Sequence, residues 1–324
     1  MAGLSETRVW DSLLTTTLAN YRNTLIDNIF DTYPLLSWLN GKLGQTMRGS
    51  SLKRILDGGD SIVEQLMYGT NSTVKSYSGA ETLDTTLQEG LTIARYAWKQ
   101  YSATVGITGL ERRSNNGEAS MLNLIKAKTK QAEMSLRDRM NQDAFSDGTG
   151  NSSKNLTGLQ AIVSTTGTLG SLSPTTYTWW APTSTSCGSF AANGLSKMRT
   201  LFNTLSLGND KPDFIITTQT AFEYYESALQ PQERYTDSKL ANSGWQNLTF
   251  KGVPLMFDRD CPSGKLYALN SNYLNFVVHR DADFTLGDMQ KPIGQDVVSA
   301  QLLFMGNMTC SNRRMQGELT GITA

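Results

Sequence analysis

Two pairs of aspartates have the spacing best suited to chemistry. Asp258 and Asp260 form one pair and Asp281 and Asp283 the other, with a single residue between the two members of each. Neighbouring carboxylates can transfer protons to and from a substrate, or bind Ca²⁺. Each pair, however, lies in a polar stretch beside an expected strand, where turn carboxylates are common. We therefore interpret both pairs as turn residues.

Nucleophilic catalysis would depend on the single histidine of the chain, His279. Any Ser-His-Asp or Cys-His arrangement has to include it, and a metal site with two histidines is excluded. Cys261 begins a Cys-Pro-Ser-Gly turn, and we interpret it as a small buried or turn thiol. The sequence contains no GxxxxGK[ST] phosphate loop, no GxGxxG after a strand and no GxSxG nucleophile elbow. We expect no enzymatic activity, no metal and no cofactor.

Composition favours a globular protein with an uncharged polar surface. The 324 residues include 29 Lys and Arg against 29 Asp and Glu, and charged residues make up 18% of the chain. Thr and Ser, with 37 and 31 residues, supply much of the polarity. No apolar run is long enough for a membrane span, and no secretory signal is visible, so we expect synthesis in the cytosol. The three cysteines (Cys187, Cys261 and Cys310) lack zinc-binding spacing and are expected to be reduced.

The N-terminal region predicts a helix followed by a basic connector. Apolar residues at spacings of three and four predict the helix over 14–29, and Pro34 ends it. A short apolar anchor follows, formed by Leu35, Leu36, Trp38 and Leu39. The connector carries Lys42, Arg48, Lys53 and Arg54. We interpret it as a solvated basic stretch, with contact to nucleic acid or to an acidic neighbouring subunit as the alternative.

The next region changes to a strand pattern. Residues 91–101 alternate so that Tyr96 and Trp98 share one face while Lys99 lies on the other. Together with residues 63–77, they predict a long antiparallel ribbon. A ribbon of two strands is marginally stable in water, so it needs a surface to lie on. That surface can belong to another subunit.

The strongest predicted element is a helix over 118–145. Its apolar residues recur every three or four positions without an intervening Gly or Pro. At 1.5 Å per residue, the helix would be about 42 Å long. Its basic residues are interpreted as a solvated face: Lys126, Lys128, Lys130, Arg137 and Arg139.

The rest of the chain predicts a mixture of helices and strands. Residues 146–188 resemble exposed loops around a hairpin, with one strand at 159–163. Thr220 and Glu223 form a candidate capping box at the start of a helix. The other predicted elements are a helix at 195–205 and strands at 213–217, 255–258, 266–269, 274–278 and 297–305. This order is typical of an α+β fold.

Four stretches of the second half carry a resemblance to a known family: 211–226, 250–262, 266–270 and 306–321. Together with the order of elements along the whole chain, they resemble the major capsid proteins of tailed bacteriophages, which have the Hong Kong 97-type fold. The resemblance implies an N-terminal arm, an extended β-hairpin loop, a peripheral domain with a spine helix, and an axial domain. The implied boundaries are 1–50 for the arm, 51–112 for the loop, 113–187 for the peripheral domain with its spine helix at 117–145, 188–265 for the axial domain, and 266–324 for strands that return to the peripheral domain.

The resemblance implies a structural protein of the virion. As the major head protein, it would self-assemble in the host bacterial cytoplasm, through hexamers and pentamers, into an icosahedral shell around phage double-stranded DNA. Four residues of the predicted ribbon are candidates for contact with the next subunit: Lys75, Tyr96, Trp98 and Lys99. Zero net charge argues against tight DNA binding, so DNA contact is expected to be weak and independent of sequence. The candidates for that contact on the inner face are Arg48, Lys53 and Arg54.

The resemblance also concerns partners and crosslinks. The resemblance implies a portal protein as a partner and implies no association with a membrane. Because about 50 residues precede the ribbon, we expect no cleaved scaffolding segment, and therefore a separate scaffolding protein or none; a decoration protein stays open. Some family members crosslink a Lys of the loop to an Asn of a neighbour. Lys75 and Lys99 lie on the predicted ribbon, but no partner Asn matches by motif, so we expect assembly without covalent bonds.

Three alternatives stay open at this point. A bacterial nanocompartment shell of the encapsulin type has the same fold and encloses protein cargo in place of DNA. A phage tail or receptor-binding protein could use 146–188 as adhesive loops. An enzyme would use Asp258, Asp260 or His279.

Overall fold

The structure, a computed structural model, describes residues 33–40, 52–114, 118–229 and 248–324, with the backbone alone for 118–123. Helices and strands follow one another without regular alternation, which confirms the predicted α+β class. The helix predicted over 14–29 lies outside the described residues, as do Lys42 and Arg48.

The long helix predicted from the sequence is confirmed. The described helices include α1 (Pro34–Leu39), α2 (Gly109–Ser114), α3 (Glu118–Ala144), α4 (Leu159–Ile162), α5 (Phe190–Leu205) and α6 (Gln219–Leu229). With 27 residues, α3 is about 40 Å long. Pro34 lies in the first turn of α1, where its missing N–H has no helical partner to lose. At the start of α6, the backbone N–H of Ala221 donates to Oγ1 of Thr218 at 3.3 Å, so the capping residue is Thr218 and the prediction of Thr220 is wrong.

The first sheet has five strands and is centred on its longest one. Its members are β1 (Lys53–Leu56), β4 (Lys99–Thr108), β10 (Leu274–His279), β11 (Thr285–Leu286) and β12 (Val297–Cys310). β12 pairs antiparallel with β10, β11 and β4, and its pairing with β4 runs from Gly306 opposite Lys99 to Val297 opposite Thr108. The strand predicted over 297–305 is therefore longer and continues to Cys310.

The second sheet has six strands. In spatial order they are β5 (Thr183–Ser189), β13 (Gly317–Thr323), β9 (Leu266–Leu269), β6 (Phe214–Thr217), β8 (Val253–Phe257) and β7 (Leu248–Phe250). Its core contains buried residues of α5 and α6, among them Leu201 and Phe222. Within 266–324, β9 and β13 lie in this sheet, while β10, β11 and β12 lie in the first.

A separate ribbon of two strands projects between β1 and β4 in the chain order. It consists of β2 (Ile62–Met67) and β3 (Leu91–Tyr96), paired antiparallel from Ile62 opposite Tyr96 to Met67 opposite Leu91. The ribbon is shorter than predicted, because the single strand expected over 91–101 is interrupted at 97–98 and β4 then joins the first sheet. We call residues 62–96 the arm.

The segment before the ribbon packs in the hydrophobic core that includes Trp38, Phe214 and Phe304, which we call the main core. Trp38 of α1 is buried and stacks on Phe214 of β6, with ring centroids 4.5 Å apart and planes 11° apart. Burying a large apolar side chain contributes about 2 to 3 kcal/mol. The apolar anchor predicted around Trp38 is thus buried, and it links the N-terminal part of the chain to the second sheet.

The structure of segment 146–188 differs from the exposed loops that the sequence predicts. It was expected to be exposed with a strand at 159–163, but Leu159–Ile162 is helical, and Leu156, Leu159 and Val163 are fully buried in the main core. The apolar residues that suggested a strand therefore form one buried turn of helix.

A capping box between Thr108 and Glu111 begins α2 and is bonded to Lys128 of α3. The N–H of Thr108 donates to Oε2 of Glu111 at 2.9 Å, and the N–H of Glu111 donates to Oγ1 of Thr108 at 3.2 Å. Nζ of Lys128, on α3, donates to both oxygens of the Glu111 carboxylate at 2.8 Å and to the carbonyl of Gly106 at 3.0 Å. One buried carboxylate thus fixes the long helix against the first sheet.

Candidate assembly interface

The arm has one face packed on the chain and one face open to solvent. Along both strands the residues alternate, with Ile62 and Ala94 among the buried side chains and Val63 and Ile93 among the exposed ones. This alternation over 91–96 agrees with the sequence prediction. The open face carries four apolar side chains together with Gln65 and Arg95: Val63, Met67, Leu91 and Ile93. The ribbon therefore presents a largely apolar surface suited to contact with another polypeptide.

Beyond the ribbon, the arm lacks regular structure and is almost wholly exposed. The N–H of Tyr68 donates to the carbonyl of Gly90 at 2.9 Å, which closes the ribbon. Between these residues, the apolar side chains Val74, Tyr77, Leu83 and Leu87 are exposed. Leu87 is 95% exposed, although burial of a leucine stabilises a protein by about 2 kcal/mol. A segment of this composition gains stability when it packs against a partner.

Aromatic rings hold the far end of the ribbon, where the exposed part of the arm begins. Tyr68 stacks on Trp179 with centroids 5.3 Å apart and planes 13° apart. Tyr177 and Trp180 contact Trp179 with centroid distances of 6.0 Å and 5.7 Å. The N–H of Arg95 also donates to the carbonyl of Gly170 at 3.1 Å. The direction in which the arm leaves the body is therefore set by contacts with the 170–180 segment.

Two of the predicted arm contacts have opposite environments. Lys75 is exposed, and its Nζ donates to the carbonyl of Thr82 at 3.0 Å within the arm. Tyr96 is 3% exposed, and its hydroxyl donates to the carbonyl of Cys310 at 2.7 Å. Because Tyr96 packs in the core of its own chain, it is not available to a neighbour, and that expectation is corrected.

The other two predicted contacts lie where the arm returns to the body. Nε1 of Trp98 donates to the carbonyl of Gly59 at 2.9 Å, and its ring is partly exposed. Nζ of Lys99 donates to the carbonyl of Ser153, and burial lowers the pKa of this lysine. Trp98 and Lys99 both retain surface that a neighbouring chain can reach.

The described candidates for DNA contact are paired with acids of the chain itself. Lys53 forms an ion pair with Asp283, and Nη1 of Arg54 lies 3.5 Å from Oε1 of Glu64. Arg48 lies outside the described residues. Lys53 and Arg54 of β1 are therefore paired with Asp283 and with Glu64 of β2, and they do not form a free basic patch.

The Asp258 and Asp260 pair joins α3 to the end of β8. Nδ2 of Asn141 donates to Oδ1 of Asp258 at 3.1 Å and to Oδ2 of Asp260 at 2.7 Å. Asp258 is buried, and burial raises the pKa of its carboxyl, with the nearby Asp260 carboxylate adding to the effect. Both carboxylates are thus bound by a side chain of the same molecule, which supports their interpretation as structural residues.

The remaining candidates for chemistry are also engaged locally. Nδ1 of His279 accepts a hydrogen bond from the N–H of Asp281 at 3.2 Å, and Asp283 pairs with Lys53. Burial raises the pKa of the Cys261 thiol, which keeps it protonated and unreactive. In the described part of the chain, no cluster of His, Cys, Asp or Glu is arranged to hold a metal ion. No helix within the described ranges is long and apolar enough to cross a membrane.

Sequence reasoning missed the aromatic residues that orient the arm. Tyr177, Trp179 and Trp180 lie in the Ser- and Thr-rich segment that was interpreted as loops. Two consecutive tryptophans in such a segment were a usable signal, because large aromatic side chains in loops commonly anchor an interface or a core. The sequence does not indicate that Trp179 pairs with Tyr68, because the two residues are more than a hundred positions apart.

Comparison by sequence gives no relatives: no family model and no curated protein matches the chain. Solved structures, by contrast, match it over nearly its full length. The capsid of cyanophage A-1(L) superposes with a TM-score of 0.67 at 17% identity, covering 95% of this chain and 98% of the capsid chain. The SrpI encapsulin of Synechococcus elongatus gives 0.61 at 11% identity, covering 94% and 93%.

The structure of Mycobacterium phage Bobi has a TM-score of 0.57 at 10% identity, and covers 94% of this chain and 95% of its own. At such identities a likeness is evidence of the fold, and it extends over nearly the whole chain. The chain therefore has the capsid fold of tailed bacteriophages, the Hong Kong 97-type fold expected from the resemblance of its second half.

Proposed function

We propose that this chain is the major capsid protein of a tailed bacteriophage, which self-assembles into the icosahedral shell around double-stranded DNA. Its role is structural rather than enzymatic. The likeness of its fold to the cyanophage capsid supports this proposal, as does the engagement of each candidate catalytic group in local hydrogen bonds or ion pairs.

The observation that carries the proposal is the exposed arm. From Met67 to Glu89, almost every side chain is exposed, and the exposed ones include the apolar Met67, Val74, Tyr77, Leu83 and Leu87, while Tyr68 stacks on Trp179. A ribbon that cannot stand alone needs a surface, and a second copy of the chain supplies the same surface at every position of a shell. Heterologous contacts of this kind close into rings, and rings of five and six tile an icosahedron.

The proposal is tested by removing the exposed part of the arm. In one variant, residues 70–89 are replaced by a short Gly-Ser linker between Gly69 and Gly90, whose backbones are already adjacent at the end of the ribbon. Light scattering and negative-stain microscopy should find closed shells of tens of nanometres for the wild-type chain, expressed alone or with a scaffolding protein of the same genome. The shortened variant should stay at the size of small oligomers.

The control for this experiment is folding of the variant. Thermal unfolding of the shortened chain should resemble that of the wild type, because the deleted side chains are exposed. Shells formed by the shortened variant would refute the role of the arm. A wild-type chain that stays monomeric under both conditions would refute the capsid function.

A nanocompartment shell is the second candidate, and the likeness to the SrpI encapsulin supports it. The two functions differ in what the shell encloses. Native particles of a phage head protect double-stranded DNA from nuclease, whereas those of a nanocompartment release protein cargo and no such DNA.

Several features of the proposal follow from the resemblance of the sequence. The shell would consist of hexamers and pentamers with a portal protein at one vertex, and with a separate scaffolding protein or none. Its subunits would be held without covalent crosslinks, so denaturing electrophoresis of particles should give a single band at 35.6 kDa. The protein would be assembled in the bacterial cytoplasm and reside in the virion.

A further inference from the structure

The two helices that cover the second sheet lie toward opposite edges of it. α5 packs on β5 and β13, at one end of the strand order, and α6 packs on β8, next to the other end. Both helices contribute side chains to one core. A second copy placed edge to edge with the first, in the same orientation, therefore brings its α6 beside the α5 of the first copy.

The side of α5 that faces the β5 edge carries a single charged residue, Lys197. Burial raises the pKa of the Cys187 thiol of β5, and the nearby charge of Lys197 partly offsets the effect, so Lys197 lies on the β5 side of the helix. Helical spacing aligns Lys197 with three exposed side chains that are short and uncharged: Asn193, Thr200 and Thr204. The opposite side of α5 packs toward β7, where Phe202 contacts Phe250 with ring centroids 5.9 Å apart.

The outer side of α6 carries two acids. Gln219, Glu223 and Glu226 follow one another at spacings of four and three, so they share one side of the helix. Glu223 is exposed and Glu226 is partly exposed, and Nε2 of Gln219 donates to Oε1 of Glu223 at 3.1 Å. On the other side of α6, Tyr224 contacts Phe190 of α5 at a centroid distance of 6.4 Å. The acidic side of α6 therefore faces away from the α5 of its own chain.

The two outer sides are opposite in charge, and neither is neutralised locally. α5 contains no acid, and α6 contains no base. Within the described ranges, Lys197, Glu223 and Glu226 form no ion pair. Because each copy offers one basic and one acidic side, a contact between them is heterologous and repeats around a ring.

We propose that Lys197 of one copy pairs with Glu226 of the next copy, with Glu223 adding to the negative charge, so that the basic side of α5 meets the acidic side of α6 at every contact of a ring. The proposal rests on the proposed function, since it identifies a charged contact between the subunits of a shell. An exposed ion pair adds little affinity, but like charges at the same place oppose wrong arrangements. The pair therefore acts chiefly by fixing the head-to-tail order of the subunits.

Charge reversal tests the contact in the full chain. Lys197→Glu and Glu226→Lys each place like charges at every contact of a ring, so each should lower the yield of shells about tenfold at equal protein concentration. When one chain carries both changes, the charges are opposite again, and the yield should recover to within about twofold of wild type. Light scattering and negative-stain microscopy measure the yield.

An equal mixture of the two single variants distinguishes a contact between copies from one within a chain. In a ring of six in which the variants alternate, every α5 again meets an α6 of opposite charge. A ring of five keeps one unmatched contact, so recovery should be partial but clearly above the yield of either variant alone. Mass spectrometry of the shells should find both variants in similar amounts.

Arg199→Glu is the matched control. Arg199 is exposed on the same helix, and its position two residues from Lys197 puts it on a different side. The yield of shells from this variant should stay within about twofold of wild type. Thermal unfolding of all these variants should match that of the wild type, because the changed side chains are wholly or partly exposed.

The outcomes separate this inference from the proposed function. Single variants that assemble as well as the wild type would overturn the ion pair while leaving the capsid function intact. A mixture that assembles no better than either single variant would overturn it too, as would an Arg199→Glu variant as defective as Lys197→Glu. Failure of the wild-type chain to form any shell would instead refute the capsid function.

Discussion

Nε of Arg313 donates to the carbonyl oxygen of Ile162, 151 positions earlier in the chain, at 2.8 Å. The Nη groups of the same side chain donate to the carbonyls of Ala161 at 2.9 Å and Gly167 at 3.1 Å, and also to that of Ser164. Arg313 is fully buried. Its charge is thus stabilised by backbone carbonyls at the end of α4, and the guanidinium fixes the 159–167 segment against the chain terminus.

Replacing this guanidinium should be among the most destabilising single changes in the described structure. Arg313→Ala leaves four carbonyls, that of the buried Ile162 among them, without their donor and opens a cavity, so we expect the free energy of unfolding to fall by about 3 kcal/mol or more. Arg313→Lys should lose less, since an ammonium keeps part of the hydrogen bonding. Denaturant unfolding measures both, and Arg314→Ala at the exposed next position is the control, expected within about 0.5 kcal/mol of wild type. Equal losses for Arg313→Ala and Arg314→Ala would contradict this account.

The capping carboxylate Glu111 should make stability depend on pH in the acidic range. Burial alone would raise the pKa of Glu111, but hydrogen bonds and the charge of Lys128, together with bonds from Thr108, outweigh it and hold the pKa below its usual value. A lowered folded-state pKa means that the stabilisation is complete above the unfolded-state value and is lost as pH falls through the folded-state value. Glu111→Gln should therefore destabilise the chain at pH 7 and converge with wild type near pH 3. Unfolding curves across that range test this, and a difference that grows toward low pH would contradict it.

Elements defined by local periodicity were predicted well from the sequence. The regular apolar spacing of α3 gave its start at Glu118 and its end within one residue, because a long amphipathic helix repeats the same signal seven or more times. Alternation over 91–96 gave the correct faces of β3 for the same reason. The capsid fold itself was expected from the resemblance, not from periodicity.

Features that depend on distant partners could not be predicted. Whether Tyr96 faces a neighbour or its own core depends on Cys310, and whether Lys53 is free depends on Asp283. Residues 159–163 carry too few apolar residues to distinguish one helical turn from a strand, since both bury a short apolar run. In each case the deciding contact joins residues more than a hundred positions apart, or the pattern extends over little more than one helical turn.

The buried Asp258 should oppose folding at neutral pH. Burial raises the pKa of its carboxyl, and the Asp260 carboxylate contributes. Between the unfolded-state and folded-state pKa values, the folded chain holds a proton that the unfolded chain has released, so stability decreases as pH rises through that window. In Asp258→Asn, the amide oxygen can still accept from Asn141 and from the N–H of Asp260, without a charge to bury. The melting temperature of this variant, relative to wild type, should therefore increase from pH 4 to pH 7, and a relative decrease would contradict the prediction.

Trp179 should control the local stability of the arm without controlling that of the body. Its stack with Tyr68 is worth about 0.5–1.5 kcal/mol beyond area burial. Trp179→Ala should therefore accelerate hydrogen exchange at the N–H of Tyr68, which is bonded to Gly90, by about two- to tenfold. Amides of α3 should be unaffected, since the helix does not take part in the stack. Trp179→Phe keeps an aromatic partner and should retain most of the protection, so similar acceleration in the alanine and phenylalanine variants would show that the stack does not hold the arm. Because the arm is the part of the chain proposed to contact the next subunit, its loosening should also slow assembly while the monomer remains folded.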